Sequence, residues 1–337
     1  MSLDRLPPEL REVRSAQIEP ADFDEFWRTT IDAARAFDID VALEPVPTGL
    51  RTIDVYELSY RGFGGHRIHG WLRAPAGTLE RDERLPAVVH FTGYGAGRGN
   101  PLDDLAIASA GFVHLTMDTR GQGSGVTADP VGSGPSGGGF ITRGLADKER
   151  YTYRRVYTDA VRAVDAVRTL QIVDAARVAV IGNSQGGGIA LAVGGLVPGL
   201  AAVLAQAPFL CDFPEAIAHT RSGPITELLA LFAMRRYDAA AFQETLAYFD
   251  GVTFAKRATA PGHLSVGLLD DISTPRTVLA AFDAYAAEKH LAVWPHNGHE
   301  AGGADDLALA LDILHRVLRS PEERCAEPRV RSTSPSS

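Results

Sequence analysis

A chain of 337 residues with 45% apolar content can bury a large core, either as one large α/β domain or as roughly two domains. Its formal net charge of −9, with no run of Lys or Arg longer than a pair in the folded region, argues against a basic face and so against nucleic acid as a partner. Two cysteines, Cys211 and Cys325, give neither a disulfide framework nor metal-ligand spacing, and no stretch approaches the ~18 apolar residues of a membrane span. With a charged N-terminus, MSLDRLPPELREVRSAQ, that lacks a signal-peptide core, the expectation is a cytoplasmic protein without a membrane partner.

In chain order, PADFDEFWRTTIDAARAF places Phe23, Phe26, Trp27 and Ile31 at helical spacing, so residues 1–50 are read as a helical segment packed on a larger body. TIDVYELSYRGFGGHRIHGWLRAP alternates apolar and polar residues around a glycine-rich turn, the pattern of an antiparallel hairpin with one wet face. From there PAVVHF, DDLAIASA, FVHLTMD, RRVYTDAVRAVDAVRTL and RVAVIG alternate short continuous apolar runs with helical stretches. This predicts an α/β domain over 51–318, its mostly parallel sheet covered on both faces and carrying an antiparallel N-terminal edge. AAVLAQAP, HLSVGLLD and LAVWP supply further strands, a helical insertion spans about 212–260, and ADDLALALDILHRVL is the last helix. The polar, Pro- and Ser-rich end, 319–337, is expected to be disordered.

One turn stands out: IGNSQGGG follows the strand RVAV and precedes the helix IALAVGGL. A nucleophilic hydroxyl must be exposed on a rigid mount, and a strand-to-helix turn supplies one when the residues two before and two after the serine are small. Gly182 and Gly186 occupy those positions around Ser184, and the helix starting near Gln185 aims its N-terminal N–H groups at the same place. Two fixed glycines in five residues arise by chance in glycine-rich chains; the strand before and the helix after give the pattern its weight.

A serine needs a base, usually a histidine oriented by a carboxylate, and in this fold type the order is Ser, acid, His on loops after later strands. HLSVGLLDD offers Asp270 and Asp271, which strand alternation sends to opposite sides, with Asp270 favoured by its place at the strand end. LAVWPHNGHE offers His296 and His299, either of which serves on spacing alone, whereas His290 precedes its strand at the wrong end of the sheet. Zinc binding by HNGHE is disfavoured, because Pro295 and Asn297-Gly298 argue for a loop where a helix is needed. The glycine-rich loop in HFTGYGAGRGNP lets backbone approach a substrate oxygen, as part of an oxyanion hole.

The same loop supports a rival, dinucleotide binding, since strand, glycine loop, helix and the strand ending in Asp118 form a βαβ unit. Counted from Gly93, however, Arg98 stands where GxGxxG requires its third glycine.

Three signatures, RGQG at 120–123, GNSQGG at 182–187 and HE at 299–300, together with DTRGQGSG, YRRVYTDAVRAV, SQGGGIALAV, YFDGV and SVGLLD, closely resemble the acetyl xylan esterase and cephalosporin C deacetylase family, carbohydrate esterase family seven of the α/β-hydrolases. The likeness runs from about residue 20 to 318. It implies Ser184 as nucleophile, His299 as base and Asp270 as the orienting acid, and so selects Asp270 over Asp271 and His299 over His296. It further implies an oxyanion hole from the backbone N–H groups of Tyr94 and Gln185, structural support from Arg120, Gln122 and Glu300, and an acyl pocket narrowed by Pro224. No metal or organic cofactor is implied. The implied substrate is a small acetylated carbohydrate or cephalosporin C, and the implied assembly a homo-oligomer as large as a hexamer. The chain departs from the family pattern at LDDLAIASA, after the oxyanion loop, and in the glycine-rich segment GVTADPVGSGPSGGGF.

Overall fold

The computed structural model describes residues 6–123, 125–132 and 139–319. Its centre is a sheet of nine strands, β1 (Ala42–Pro45), β2 (Ile53–Arg61), β3 (Arg67–Pro75), β4 (Leu85–Phe91), β5 (Val113–Met117), β6 (Val173–Asn183), β7 (Ala202–Gln206), β8 (Gly262–Gly267) and β9 (Lys289–Trp294). They lie in the order β1-β2-β3-β5-β4-β6-β7-β8-β9. The first three pairings in that order, β1–β2, β2–β3 and β3–β5, are antiparallel and the other five are parallel. The arrangement is that of an α/β-hydrolase.

Burial explains why the inner strands read as continuous apolar runs. On β4, Ala87 and Val89 face one core while Val88 faces the other; on β6, Val178 and Val180 oppose Ala179 and Ile181 in the same way. Such strands are apolar on both faces because helices cover both. The larger core includes α1 (Phe23–Arg35), α3 (Thr152–Thr169), α4 (Gln185–Leu196), α8 (Gly251–Ala255) and α9 (Pro275–Ala284). The smaller one takes Ile107 from α2 (Ala106–Ser109) and Ala310, Ile313 and Leu314 from α10 (Ala304–Val317). Helix α4 is buried along most of its length, consistent with a sequence apolar on every side.

The N-terminal segment differs from its reading as helical. Helix α1 is present, but residues 42–45 form β1, pairing with 56–59 at the sheet edge, so the segment also extends the sheet. A four-residue strand lies below the reach of a pattern that needs several alternations. Helix α1 is held by aromatic packing: Trp27, 1% exposed, contacts the rings of Tyr157, Phe249 and Phe254 and donates its indole N–H to Tyr248 O at 2.9 Å. Truncating such a side chain to Ala costs about 3–5 kcal/mol.

The insertion consists of α5 (Phe213–His219), α6 (Ile225–Met234), α7 (Ala239–Ala247) and α8. The helix expected from DDLAIASA shortens to the single turn α2, because Asn100 and Asp103 form a local turn in which Asp103 Oδ2 accepts from Asn100 N at 2.7 Å. Residues 133–138 of the glycine-rich segment and the tail from residue 320 lie outside the described residues. Among the described residues no helix is long and apolar enough to cross a membrane.

Candidate active site

The C-terminal ends of β4, β6, β8 and β9 each deliver one part of the site, as the crevice rule for open α/β sheets requires. Between β6 and α4, Ser184 adopts φ 55° and ψ −121°, a non-glycine conformation that costs on the order of 1–3 kcal/mol and persists only where surroundings enforce it. They do so here. Ser184 N donates to Gln206 O at 2.9 Å, while Ser184 O accepts from Gly188 N and Phe209 N. The flanking glycines are obligatory: a Cβ on Gly182 would sit 2.3 Å from the Gly186 carbonyl carbon, and one on Gly186 would sit 2.0 Å from Phe91 O. Any side chain there would push the turn away from β4.

His299 Nε2 lies 2.8 Å from Ser184 Oγ, and His299 Nδ1 lies 2.9 Å from Asp270 Oδ2. The other oxygen, Asp270 Oδ1, accepts from Ile272 N at 2.8 Å and Ser273 N at 3.0 Å. With its carboxylate saturated and buried, Asp270 fixes the ring so that Nδ1 carries the proton and Nε2 can accept one from serine. The carboxylate is not on a strand, however: β8 ends at Gly267, and Asp270 N donates back to Gly267 O. A turn, rather than strand alternation, therefore separates Asp270 from the exposed Asp271. A Cβ on Gly267 would meet Gly298 O at 2.1 Å, so the acid and histidine loops come together only over glycine.

His296 is exposed in the turn before His299. His290 lies inside β9, not ahead of it, stacked on His263 at 4.7 Å between ring centroids. Glu300 Oε1 accepts from Asn297 Nδ2 at 3.1 Å and Gly298 N at 3.2 Å, bracing the histidine loop from its exposed side. Asp306 ties down the loop's far end, accepting from Ser265 Oγ, Gly302 N and Trp294 Nε1 at 2.7–2.9 Å.

The glycine loop after β4 is locked to the serine turn by an amide pair. Gln122 Nε2 donates to Gln185 Oε1 and Gln185 Nε2 to Gln122 Oε1, both at 3.1 Å. Gln122 Oε1 also accepts from Gly95 N at 2.9 Å, Gln185 Nε2 donates to Gly93 O at 3.2 Å, and Tyr153 OH donates to Gln185 Oε1 at 2.7 Å. Both glutamines are buried, so each bond lost would strand a polar group. The backbone N–H groups of Tyr94 and Gln185 donate to no partner among the described residues. Gln185 follows Ser184 directly, and the Gly93–Tyr94 peptide is tied to Gln185 through the Gly93 carbonyl.

Behind the loop, Arg120 forms a buried fork with Asp159, at 2.5 and 2.8 Å, and reaches Asp129, which Arg155 also grips at 2.6 Å. These groups are buried and paired with one another. Asp118, the candidate ribose acid, is equally absorbed: its oxygens accept from Arg98 N at 3.0 Å and Thr127 N at 2.9 Å. Arg98 itself stacks 3.8 Å over Trp71 and pairs with Glu57 at 2.9 Å. The βαβ unit thus spends its acid and its arginine on holding the glycine loop. Among the described residues no group of three or more His, Cys, Asp and Glu side chains is placed to hold a metal.

Pro224 caps α6, half-buried, next to Gly223, where a Cβ would meet Ile272 Cγ2 at 2.8 Å. The start of α6 therefore packs on the turn that holds Asp270. Two residues here escape the sequence reading, Tyr153 and Glu227. Tyr153 is one of two tyrosines in α3, TYRRVYTDAVRAVDAVRT, and nothing in the pattern sets it apart from Tyr157. Glu227 leaves a signal, as the only charged residue of α6, ITELLALFAM.

The acetyl xylan esterase (AXE1) family model matches residues 1–310 of the chain. Acetyl esterase Axe7A of Xylanibacter ruminicola is 29% identical over 288 residues, covering 83% of this chain but only 63% of that protein's own length. Among solved structures, the acetyl xylan esterase from Paenibacillus sp. R4 is 34% identical with a TM-score of 0.84, covering 91% of this chain and 99% of that one. Acetyl xylan esterase 1 from Thermoanaerobacterium sp. JW/SL YS485 is 31% identical with a TM-score of 0.83, covering 93% and 99%. The chain belongs to the acetyl xylan esterase family, a family of carboxylic ester hydrolases.

Proposed function

We propose that this protein is a serine esterase that removes acetyl groups from small acetylated carbohydrates, xylo-oligosaccharides first, with the acetyl ester of cephalosporin C as a second substrate. The observation that carries the reading is the continuous chain from Ser184 Oγ through His299 to Asp270, with contacts of 2.8 and 2.9 Å. In the first half-reaction His299 Nε2 takes the serine proton as Ser184 Oγ attacks the acetyl carbonyl carbon. The negative oxygen of the tetrahedral intermediate is met by the N–H groups of Tyr94 and Gln185. His299 returns the proton to the sugar oxygen, the C–O bond breaks, and acetyl-Ser184 remains. Water, deprotonated by His299, then repeats the attack and releases acetate.

A short acyl group is supported by the resemblance of Pro224, which caps the start of α6, to the family position that narrows the acyl pocket. The cytoplasm is the proposed compartment, supported by the sparse cysteines, and a homo-oligomer is the proposed assembly, supported by the family resemblance. Initial rates on p-nitrophenyl acetate, butyrate and octanoate, with acetate release from acetylated xylo-oligosaccharides, test the specificity. The acetyl ester should be preferred over octanoate by at least about 100-fold in kcat/KM. Equal rates on butyrate and octanoate would make the protein a general carboxylesterase instead. Light scattering on the purified protein reads the assembly state.

A further inference from the structure

A carboxylate on an otherwise apolar helix needs a reason, and Glu227 on α6 has no ion-pair partner among the described residues. Its two oxygens are spent on neutral donors instead. Glu227 Oε2 accepts from the Tyr94 hydroxyl, and Glu227 Oε1 accepts from Gly139 N at 3.0 Å. The same hydroxyl accepts from Ile141 N at 2.9 Å. Burial, followed by the Glu227 carboxylate, pushes the Tyr94 phenol far above its ordinary range, so the hydroxyl stays a donor. The Tyr94 ring packs edge-on to Phe140 at 5.3 Å and Phe209 at 6.5 Å, and Phe209 N bonds the carbonyl of Ser184.

Stability alone would be served better by an apolar contact or a neutral amide at this place, because a half-buried carboxylate without a counter-charge is costly. What the charge adds is a pair of stronger, directional hydrogen bonds. One clamps the Tyr94 ring, whose own main chain carries an N–H with no partner among the described residues, and the other holds Gly139, next to the Phe140 ring that packs on Tyr94. The clamp is mounted on α6, which also packs through Gly223 against Ile272, the residue whose N–H holds Asp270.

We propose that Glu227 is a positioning residue for the oxyanion hole, acting through the Tyr94 hydroxyl to hold the Tyr94 N–H in place. The helical insertion is thereby part of the catalytic apparatus. This rests on the acyl-transfer reading of the site. Glu227 touches no reacting atom; its effect is confined to how well the main-chain donor meets developing negative charge.

The test compares wild type with Glu227→Ala, Glu227→Gln, Tyr94→Phe, the Glu227→Ala/Tyr94→Phe double variant and Ser184→Ala, using p-nitrophenyl acetate and a boronic acid that forms a tetrahedral serine adduct. Removing an oxyanion donor outright costs about 10²–10³-fold, and misplacing it should cost about 10-fold in kcat, with KM within about twofold. Tyr94→Phe keeps the main-chain N–H, should fold, and should match Glu227→Ala; the boronic acid's Ki should rise by about the same factor. Glu227→Gln, whose amide oxygen still accepts from Tyr94, should stay within about threefold of wild type. The double variant should be no worse than either single one, because both break one linkage. Wild-type kcat and Ki in Glu227→Ala or Tyr94→Phe, with Ser184→Ala inactive, would overturn the proposal. So would losses that multiply in the double variant. Activity surviving in Ser184→Ala would defeat the acyl-transfer reading itself.

Discussion

The two halves of the site are built differently. The serine half, Ser184 with the glycine loop, is pinned by backbone contacts that tolerate no Cβ and by the buried Gln122–Gln185 pair, neither residue more than 1% exposed. The histidine half rides on a loop whose His299 side chain is 27% exposed and whose outer brace, Glu300, lies in solvent. Groups that must meet developing charge gain most from being fixed in advance, since they then need not reorganise during the reaction. A general base needs mainly its tautomer and direction, and one buried carboxylate supplies both. The contrast predicts that substitutions at the rigid half, or at the single anchor of the loose half, are severe, and that those on the outer brace are mild.

Asp270→Asn is the strongest of these. The amide keeps the shape but cannot hold His299 in the Nδ1–H tautomer, so kcat on p-nitrophenyl acetate should fall by about 10⁴-fold without loss of fold. A loss below tenfold would move the anchor elsewhere. Gln122→Leu comes next: it strands Gly95 N and takes one bond from each end of the Gln185 amide, and should lower kcat about 10–100-fold and stability by about 2 kcal/mol. A melting temperature unchanged from wild type would show that water replaces the pair.

The far end of the sheet behaves independently. Burial, and next the stacked His290, hold His263 at the start of β8 down at about 4, against 6.5 for the free side chain. Its unfolded form binds a proton between those values and its folded form does not, so stability is full above about 6.5 and falls as pH drops toward 4. The full shift corresponds to about 3 kcal/mol, which solvent screening reduces to about 1–2 kcal/mol in urea titrations, and His263→Gln should flatten the curve over that window. An unchanged slope would assign the acid sensitivity to other groups. Smallest of all, Glu300→Ala should change kcat less than about threefold and stability by about 0.5 kcal/mol or less, since its bonds are at the surface. A larger loss would show the brace to be essential and erase the contrast between the halves.

Much of this was legible in the sequence, for identifiable reasons. Continuous apolar runs reveal strands buried on both faces, and the spacing of Gly182, Ser184 and Gly186 between a strand and a helix needs only local sterics to interpret. Choosing His299 over His296 and Asp270 over Asp271 required the family resemblance, because both choices depend on turns shaped by the approach of Gly267 to Gly298 across two loops. Glu227 and Tyr153 stayed hidden because their roles arise only when α6 and α3 are brought against the glycine loop. A long-range hydrogen bond leaves no periodicity to read.

Transfer of the acetyl group to Ser184 is tested directly by one measurement. Wild type and Ser184→Ala would each be treated with a serine-directed organophosphate, then assayed on p-nitrophenyl acetate and weighed by intact mass. A single adduct per chain on wild type only, with activity lost in both the treated and the mutant protein, is the predicted result. Activity remaining in Ser184→Ala within a few-fold of wild type, or an adduct forming on it, would contradict the account.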